Sequence, residues 1–150
     1  MVGSMGCASS LALGLALSRP DRRFIVLDGD GAALMRLGAL ATIGYQQPEN
    51  LLQVLLDNEA HDSTGGQSTV THSIDLGAVA RACGYPRVVR ARGADELRQA
   101  VACWESGLTF AHMKTRPGEA KDLPRPSVTP VEVARRFGRW LSTESRSNPT

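Results

Sequence analysis

Lysine is almost absent from this sequence: Lys114 and Lys121 are the only two, so arginine carries nearly all the positive charge. The formal net charge is +2, too small to argue for a nucleic-acid partner. Cysteine is scarce and odd in number. Cys7, Cys83 and Cys103 are far apart and show no metal-type spacing, which points to free thiols in a reducing, cytoplasmic compartment. There is no long hydrophobic run. The first twenty residues are apolar and small, but they lack a basic start and break at Arg19-Pro20. They read as neither a signal peptide nor a membrane span. No internal repeat is visible.

What is present suffices for one globular domain, since 42% of 150 residues are hydrophobic. The expected domain covers 1–141, followed by a polar tail over 142–150. Gly3-Ser4-Met5-Gly6 is a glycine-rich turn. A helix over 7–18 follows, with Ala8, Ala12 and Ala16 one turn apart as a small-residue face for close packing. Further on, 59–73 reads as a long loop and 75–83 as a helix stopped at Gly84. Residues 87–91 and 108–113 read as strands, with a helix over 95–105 between them. The segment 116–127 is proline-rich and basic, a surface crossing. Thr129-Pro130-Val131-Glu132 is a capping box opening a last helix to about Leu141. Alternating strands and helices predict an α/β fold, doubly wound, with a mainly parallel sheet and helices on both faces.

The chain is organised around 29–58. The apolar run Phe24-Ile25-Val26 leads into Asp28-Gly29-Asp30-Gly31-Ala32, and the run Leu51-Leu52-Gln53-Val54 leads to Asp57-Asn58. Between them 34–44 has helical spacing. Each strand therefore ends in a polar side chain, at the sheet edge where open parallel sheets bind ligands. An Asp carboxylate and an Asn carbonyl are hard oxygen donors of the kind magnesium takes alongside phosphate oxygens. Gly29 and Gly31 leave room for a diphosphate to approach the backbone.

Gly29-Asp30-Gly31 followed by Asp57-Asn58 resembles the motif of thiamine-diphosphate-dependent enzymes, with Asp57 standing where most members carry a first Asn. Gly3-Ser4-Met5-Gly6 resembles their pyrimidine-contacting turn. The nearer resemblance is to the phosphonopyruvate decarboxylase family, through 2–6, 8–14, 38–44, Ala60-His61-Asp62-Ser63 and Gly65-Gly66-Gln67. It implies thiamine diphosphate and Mg2+ as cofactors, with Asp30, Asn58 and the backbone carbonyl of Ala60 on the metal. Gly3, Ser4 and Met5 would meet the pyrimidine, and Gly29, Gly31, Ala32, Ala60 and His61 would line the cofactor. His61 is the implied catalytic residue.

The implied reaction is decarboxylation of a small anionic 2-oxo acid, phosphonopyruvate to phosphonoacetaldehyde; the alternative is the β subunit of a sulfopyruvate decarboxylase. The resemblance covers only the diphosphate-binding half. It implies a pyrimidine-binding subunit or domain on another chain, supplying a glutamate to the pyrimidine, and hence an oligomer. The abrupt start within the Gly3 turn fits such a two-chain enzyme or a truncated reading frame, a non-catalytic association module.

Plainer roles stand beside these. Met5 serves equally well as core filler. His61 reads as a capped loop histidine or as a proton donor or phosphonate contact, since histidine titrates near neutrality. Lys114, Arg116, Lys121 and Arg125 read as solvated surface or as partners of an anionic group on a substrate or second chain.

Overall fold

The computed structural model of the chain describes residues 3–118, 124 and 126–143. Helix α1 (Ala8–Ser18) is followed by strand β1 (Phe24–Gly29), helices α2 (Asp30–Met35) and α3 (Gly38–Gln46), and strand β2 (Leu51–Asp57). A small hairpin of β3 (Ala60–His61) and β4 (Gln67–Ser68) comes next. Helix α4 (Leu76–Ala82), strand β5 (Arg87–Ala91), helix α5 (Ala94–Ala102), strand β6 (Thr109–Lys114) and helix α6 (Pro130–Ser142) complete the described order.

Strands β1, β2, β6 and β5 lie in that order in one sheet, and every pairing is parallel. The chain steps from β1 to β2, jumps to the far edge for β5, and returns to insert β6. Parallel crossovers are right-handed, so that reversal must move the connecting helix to the other face. It does: α1, α3 and α4 pack Ala12, Ala16, Leu40, Ile43, Leu76 and Ala80 against Phe24, Val26, Leu51, Leu55 and Phe110. On the opposite face α5 sets Leu97 and Val101 against Leu52, Val54 and Ala111. This is the doubly wound α/β arrangement expected. Central β2 is anchored from both sides, with Leu51, Leu52 and Leu55 fully buried. At about 1.5–3 kcal/mol per buried leucine, it is a rigid base for whatever stands at its end.

Several boundaries differ from the sequence reading. The helix expected over 34–44 is two helices, because Arg36 leaves helical geometry (φ −133°, ψ 42°). Apolar spacing continues across that bend, so periodicity does not register it. The first of the two begins at Asp30, so Gly29-Asp30-Gly31 is a helix start rather than a free turn. The helix expected over 95–105 ends at Ala102, because Trp104 turns into the core (2% exposed) and its Nε1 donates to the Gly107 carbonyl at 2.9 Å. The expected loop 59–73 holds the β3–β4 hairpin and two short 3-10 turns.

Helix α4 stops where expected, at Gly84 with φ +100°. The capping box forms in full, Thr129 and Glu132 each satisfying the other's backbone N–H. Helix α6 runs through Ser142, and the Thr143 carbonyl accepts from Arg19 and Arg22, so the polar tail begins later than 142. Residues 144–150, and half of the expected surface crossing including Lys121 and Arg125, lie outside the described residues. The small-residue face of α1 is spent inside the domain: Ala12 and Ala16 are buried against β1. The large apolar side chains exposed on β1 are instead Ile25 and Leu27, on its outward face. No described helix is long and apolar enough to cross a membrane. The three cysteines are free.

Candidate functional site

An open cleft of about 310 Å3 lies beyond the C-terminal ends of β1 and β2. It is lined by Met5, Gly29, Asp30, Gly31, Ala32, Asn58, Ala60 and His61, with Leu56, Asp62, Ser63 and Thr115 completing the wall. Gly3 and Ser4 are not among the lining residues, although they belong to the turn that delivers Met5. That turn is pressed onto α2. A Cβ on Gly6, at φ +85°, would stand 2.8 Å from the Ala32 carbonyl oxygen, so only glycine allows the approach. Met5 stays 43% exposed, which removes the core-filler role.

Two buried carboxylates stand side by side beneath the cleft. Asp30 is 2% exposed, and its Oδ2 accepts from Thr69 Oγ1 at 2.6 Å and Thr71 Oγ1 at 3.2 Å. Asp57 is fully buried; its Oδ1 accepts from Thr71 Oγ1 at 2.8 Å and the Glu59 N–H at 3.2 Å. Asp57 Oδ2 meets His112 Nε2 at 2.8 Å and Lys114 Nζ at 2.9 Å. Burial pushes the Asp57 carboxyl up, but hydrogen bonds from Lys114, Thr71 and His112 outweigh it and hold it below the usual range. Lys114 also pairs with Glu59, so its charge is used within the chain. Burial lowers the Lys114 ammonium, but the two carboxylates outweigh that and raise it.

The aspartate that stands where an asparagine was expected thus has a physical account. It is the counter-ion of Lys114 and a hydrogen-bond partner of His112, both on β6. Asp30 differs: among the described residues no cation pairs with it. A buried carboxylate without a counter-charge is costly, and a cation arriving from the cleft would relieve it.

Asn58 follows directly on β2. Its Oδ1 accepts from the Ala60 N–H at 3.1 Å and its Nδ2 donates to Asp62 Oδ2 at 2.6 Å. Both bonds fix which end of the amide is oxygen, and a carbonyl oxygen retains a second lone pair. The His61 ring lies over Gly31: a Cβ there would fall 2.5 Å from His61 Nδ1. Gly31 therefore makes room for an imidazole, whereas a Cβ on Gly29 would meet nothing within 4 Å. Backbone space for a diphosphate is left at Gly29.

These groups suit a hydrated magnesium ion carrying phosphate. The donors are one charged oxygen, one oriented amide oxygen and a nearby backbone carbonyl, all hard. No trio of His, Cys, Asp or Glu among the described residues is placed to hold a metal, and this donor set is not of that kind. Thr69, Thr71, His112 and the Lys114 ion pair escaped sequence reasoning. Their contacts to Asp30 and Asp57 span 14 to 57 residues along the chain, and no local pattern marks them.

Asp28 is a third buried carboxyl, 5% exposed, whose Oδ2 has no hydrogen-bond partner. Burial pushes it up from 3.8 to about 6, against a smaller lowering by the Gly29 N–H. A raised acid holds its proton in the folded state. Its contribution to stability is complete below pH 3.8 and lost as pH rises through about 6. The loss is about 3 kcal/mol at 1.36 kcal/mol per pH unit. Asp28→Asn is accordingly expected to stabilise the chain in urea at pH 7.5 and to have little effect at pH 4. Equal differences at both pH values would remove this account.

Residues 1–113 match the family model described as the C-terminal TPP binding domain of thiamine pyrophosphate enzymes. The chain is 49% identical to a phosphonopyruvate decarboxylase of Streptomyces viridochromogenes over 100% of its own length but only 38% of that protein. It is 48% identical to the sulfopyruvate decarboxylase subunit beta of Methanothermobacter thermautotrophicus, over 91% of this chain and 71% of that one. A solved Mycobacterium smegmatis structure, of a protein assigned to the thiamin diphosphate-dependent enzymes, matches 77% of the chain and 23% of that chain. At TM-score 0.62 and 23% identity it supports the fold alone. The chain therefore spans little more than a third of the phosphonopyruvate decarboxylase it matches, and it belongs to the thiamine pyrophosphate enzyme family as a C-terminal TPP-binding domain.

Proposed function

We propose that this chain is the diphosphate-binding half of a thiamine-diphosphate-dependent 2-oxo acid decarboxylase, acting on phosphonopyruvate to give phosphonoacetaldehyde and carbon dioxide. The observation that carries it is the cleft itself, where a buried, cation-less Asp30, the oriented Asn58 amide, Met5 and His61 converge at the ends of two parallel strands. Asp30, Asn58 and the Ala60 carbonyl would hold magnesium and, through it, the diphosphate, with open backbone at Gly29. Met5 supports the cofactor from the turn at the start of α1, with Gly3 and Ser4 beside it. When bound, the cofactor would supply a nucleophilic carbon and an electron sink for decarboxylation of the 2-oxo acid. A pyrimidine-binding subunit would close the other wall, which would make the working enzyme an oligomer.

The His61 imidazole sits at the cleft edge and holds the proton that the product carbon requires, or meets the anionic head group of the substrate. His61→Ala in enzyme reconstituted with a pyrimidine-binding subunit is expected to lower kcat about 10²-fold or more, the scale of a lost acid–base group. A change within about twofold would leave His61 as a packing partner of Gly31. The second reading is a sulfopyruvate decarboxylase β subunit, favoured by the chain's covering 71% of a relative bearing that name. Rates on the two substrates side by side separate the readings.

A further inference from the structure

The two buried carboxylates differ in one respect: Asp57 has the Lys114 ammonium beside it as well as the His112 ring nitrogen, and Asp30 has hydroxyls only. Thr71 Oγ1 stands between them, 2.8 Å from Asp57 Oδ1, 3.2 Å from Asp30 Oδ2 and 2.8 Å from Thr69 Oγ1. A hydroxyl carries a single proton, so it can satisfy only one of these three oxygens at a time. Thr69 gives its own proton to Asp30 across the shortest of the contacts, 2.6 Å. The shorter Thr71 contact to a carboxylate is the one to Asp57, and Asp57 is fixed by Lys114 and His112 from the neighbouring strand.

Thr71 is thus held by Asp57 and leaves Asp30 with one firm donor. The result is a carboxylate whose position is fixed but whose charge is not answered. We infer that Thr71 is a positioning residue for the metal: anchored by its hydroxyl on the Asp57–Lys114–His112 group, it donates its backbone N–H to Thr69 Oγ1 at 3.4 Å and so holds the Thr69 hydroxyl that fixes the Asp30 carboxylate toward the cleft without neutralising it. This inference rests on the reading of Asp30 as a magnesium ligand. It adds a role for four residues that touch neither metal nor diphosphate in that reading. Thr71 is 3% exposed and packed between the acids, so the lock is dry and its loss cannot be made good by bulk water.

The test titrates magnesium chloride into the 150-residue chain at a fixed thiamine diphosphate concentration, with heat or tryptophan fluorescence as the readout. Thr71→Val keeps the shape and removes the hydroxyl, and is expected to weaken magnesium about 10- to 100-fold, the range for partners that orient a metal ligand. Thr71→Ser keeps the hydroxyl and should stay within about threefold of the parent. Should Thr71→Val not fold, Thr71→Ala takes its place with the same expected loss. Leu108→Ala, a buried change elsewhere in the core, controls for stability and should bind magnesium like the parent. Parent-like affinity in Thr71→Val, or an equal loss in Leu108→Ala, overturns the inference. Asp30→Ala separates the two levels: if it binds like the parent, the metal reading falls, and if it alone loses binding while Thr71→Val does not, only the positioning role falls.

Discussion

Asp30→Ala is expected to abolish the thermal stabilisation that magnesium and thiamine diphosphate together confer on the chain. A ligand that binds only the folded state stabilises it by about 2.7 kcal/mol at a hundredfold excess over Kd. For a domain of this size that is a rise in Tm of roughly 5–10 °C. In the proposed reading alanine at this position would remove the charged oxygen from the metal, leaving an oriented amide and a backbone carbonyl that are too weak together to replace it. The unliganded variant should remain folded, because the change removes a buried charge for which the described residues offer no cation. Two scans of each protein, with and without the magnesium–thiamine diphosphate pair, suffice. A shift of parental size in the variant would place the site elsewhere.

The second large effect is catalytic. The purified chain alone is expected to show no decarboxylation of phosphonopyruvate above background, and addition of a pyrimidine-binding subunit should restore it. The reason lies in the walls of the cleft. Its acidic side chains are Asp30 and Asp62. The first is the metal ligand of the proposed reading, and the second accepts from the Asn58 amide and the Gly118 N–H. Neither is free to grip a pyrimidine ring as the family's glutamate does. Glu59 is taken by Lys114. At about 310 Å3 the open cleft is also at the small end for a site that must enclose a cofactor and its substrate. Reacting groups there would stand in water, which weakens every electrostatic interaction on which the chemistry draws.

The same incompleteness should show in solution behaviour. Ile25 and Leu27 stand 48% and 67% exposed on edge strand β1, so self-association of the isolated chain is expected to fall when the partner subunit is added. Sustained turnover by the purified chain with no second polypeptide would refute this requirement.

Most of the architecture was legible in the sequence because it is written in local signals. Two apolar runs ending in Asp28-Gly29-Asp30 and Asp57-Asn58 placed the parallel strands and the ligand edge. Gly84 and the Thr129–Glu132 box marked a stop and a start that the structure reproduces. Residue types at a strand end suffice to name Asp30 and Asn58 as candidates, the family resemblance adds His61, and folding brings all three to one cleft.

What only the tertiary structure decided is which charges are answered and which are not. Arg36 interrupts a helix whose apolar spacing runs straight through the break. Ala12 and Ala16 turn inward against β1, leaving Ile25 and Leu27 outside. Above all, Asp30 and Asp57 look alike as letters, 27 positions apart, yet one meets Lys114 and His112 and the other does not. Periodicity reports which face of an element is apolar. The partner of a buried charge is set by strand order and register, by β6 being inserted beside β2 with Lys114 opposite Asp57, and that is a property of the folded sheet alone.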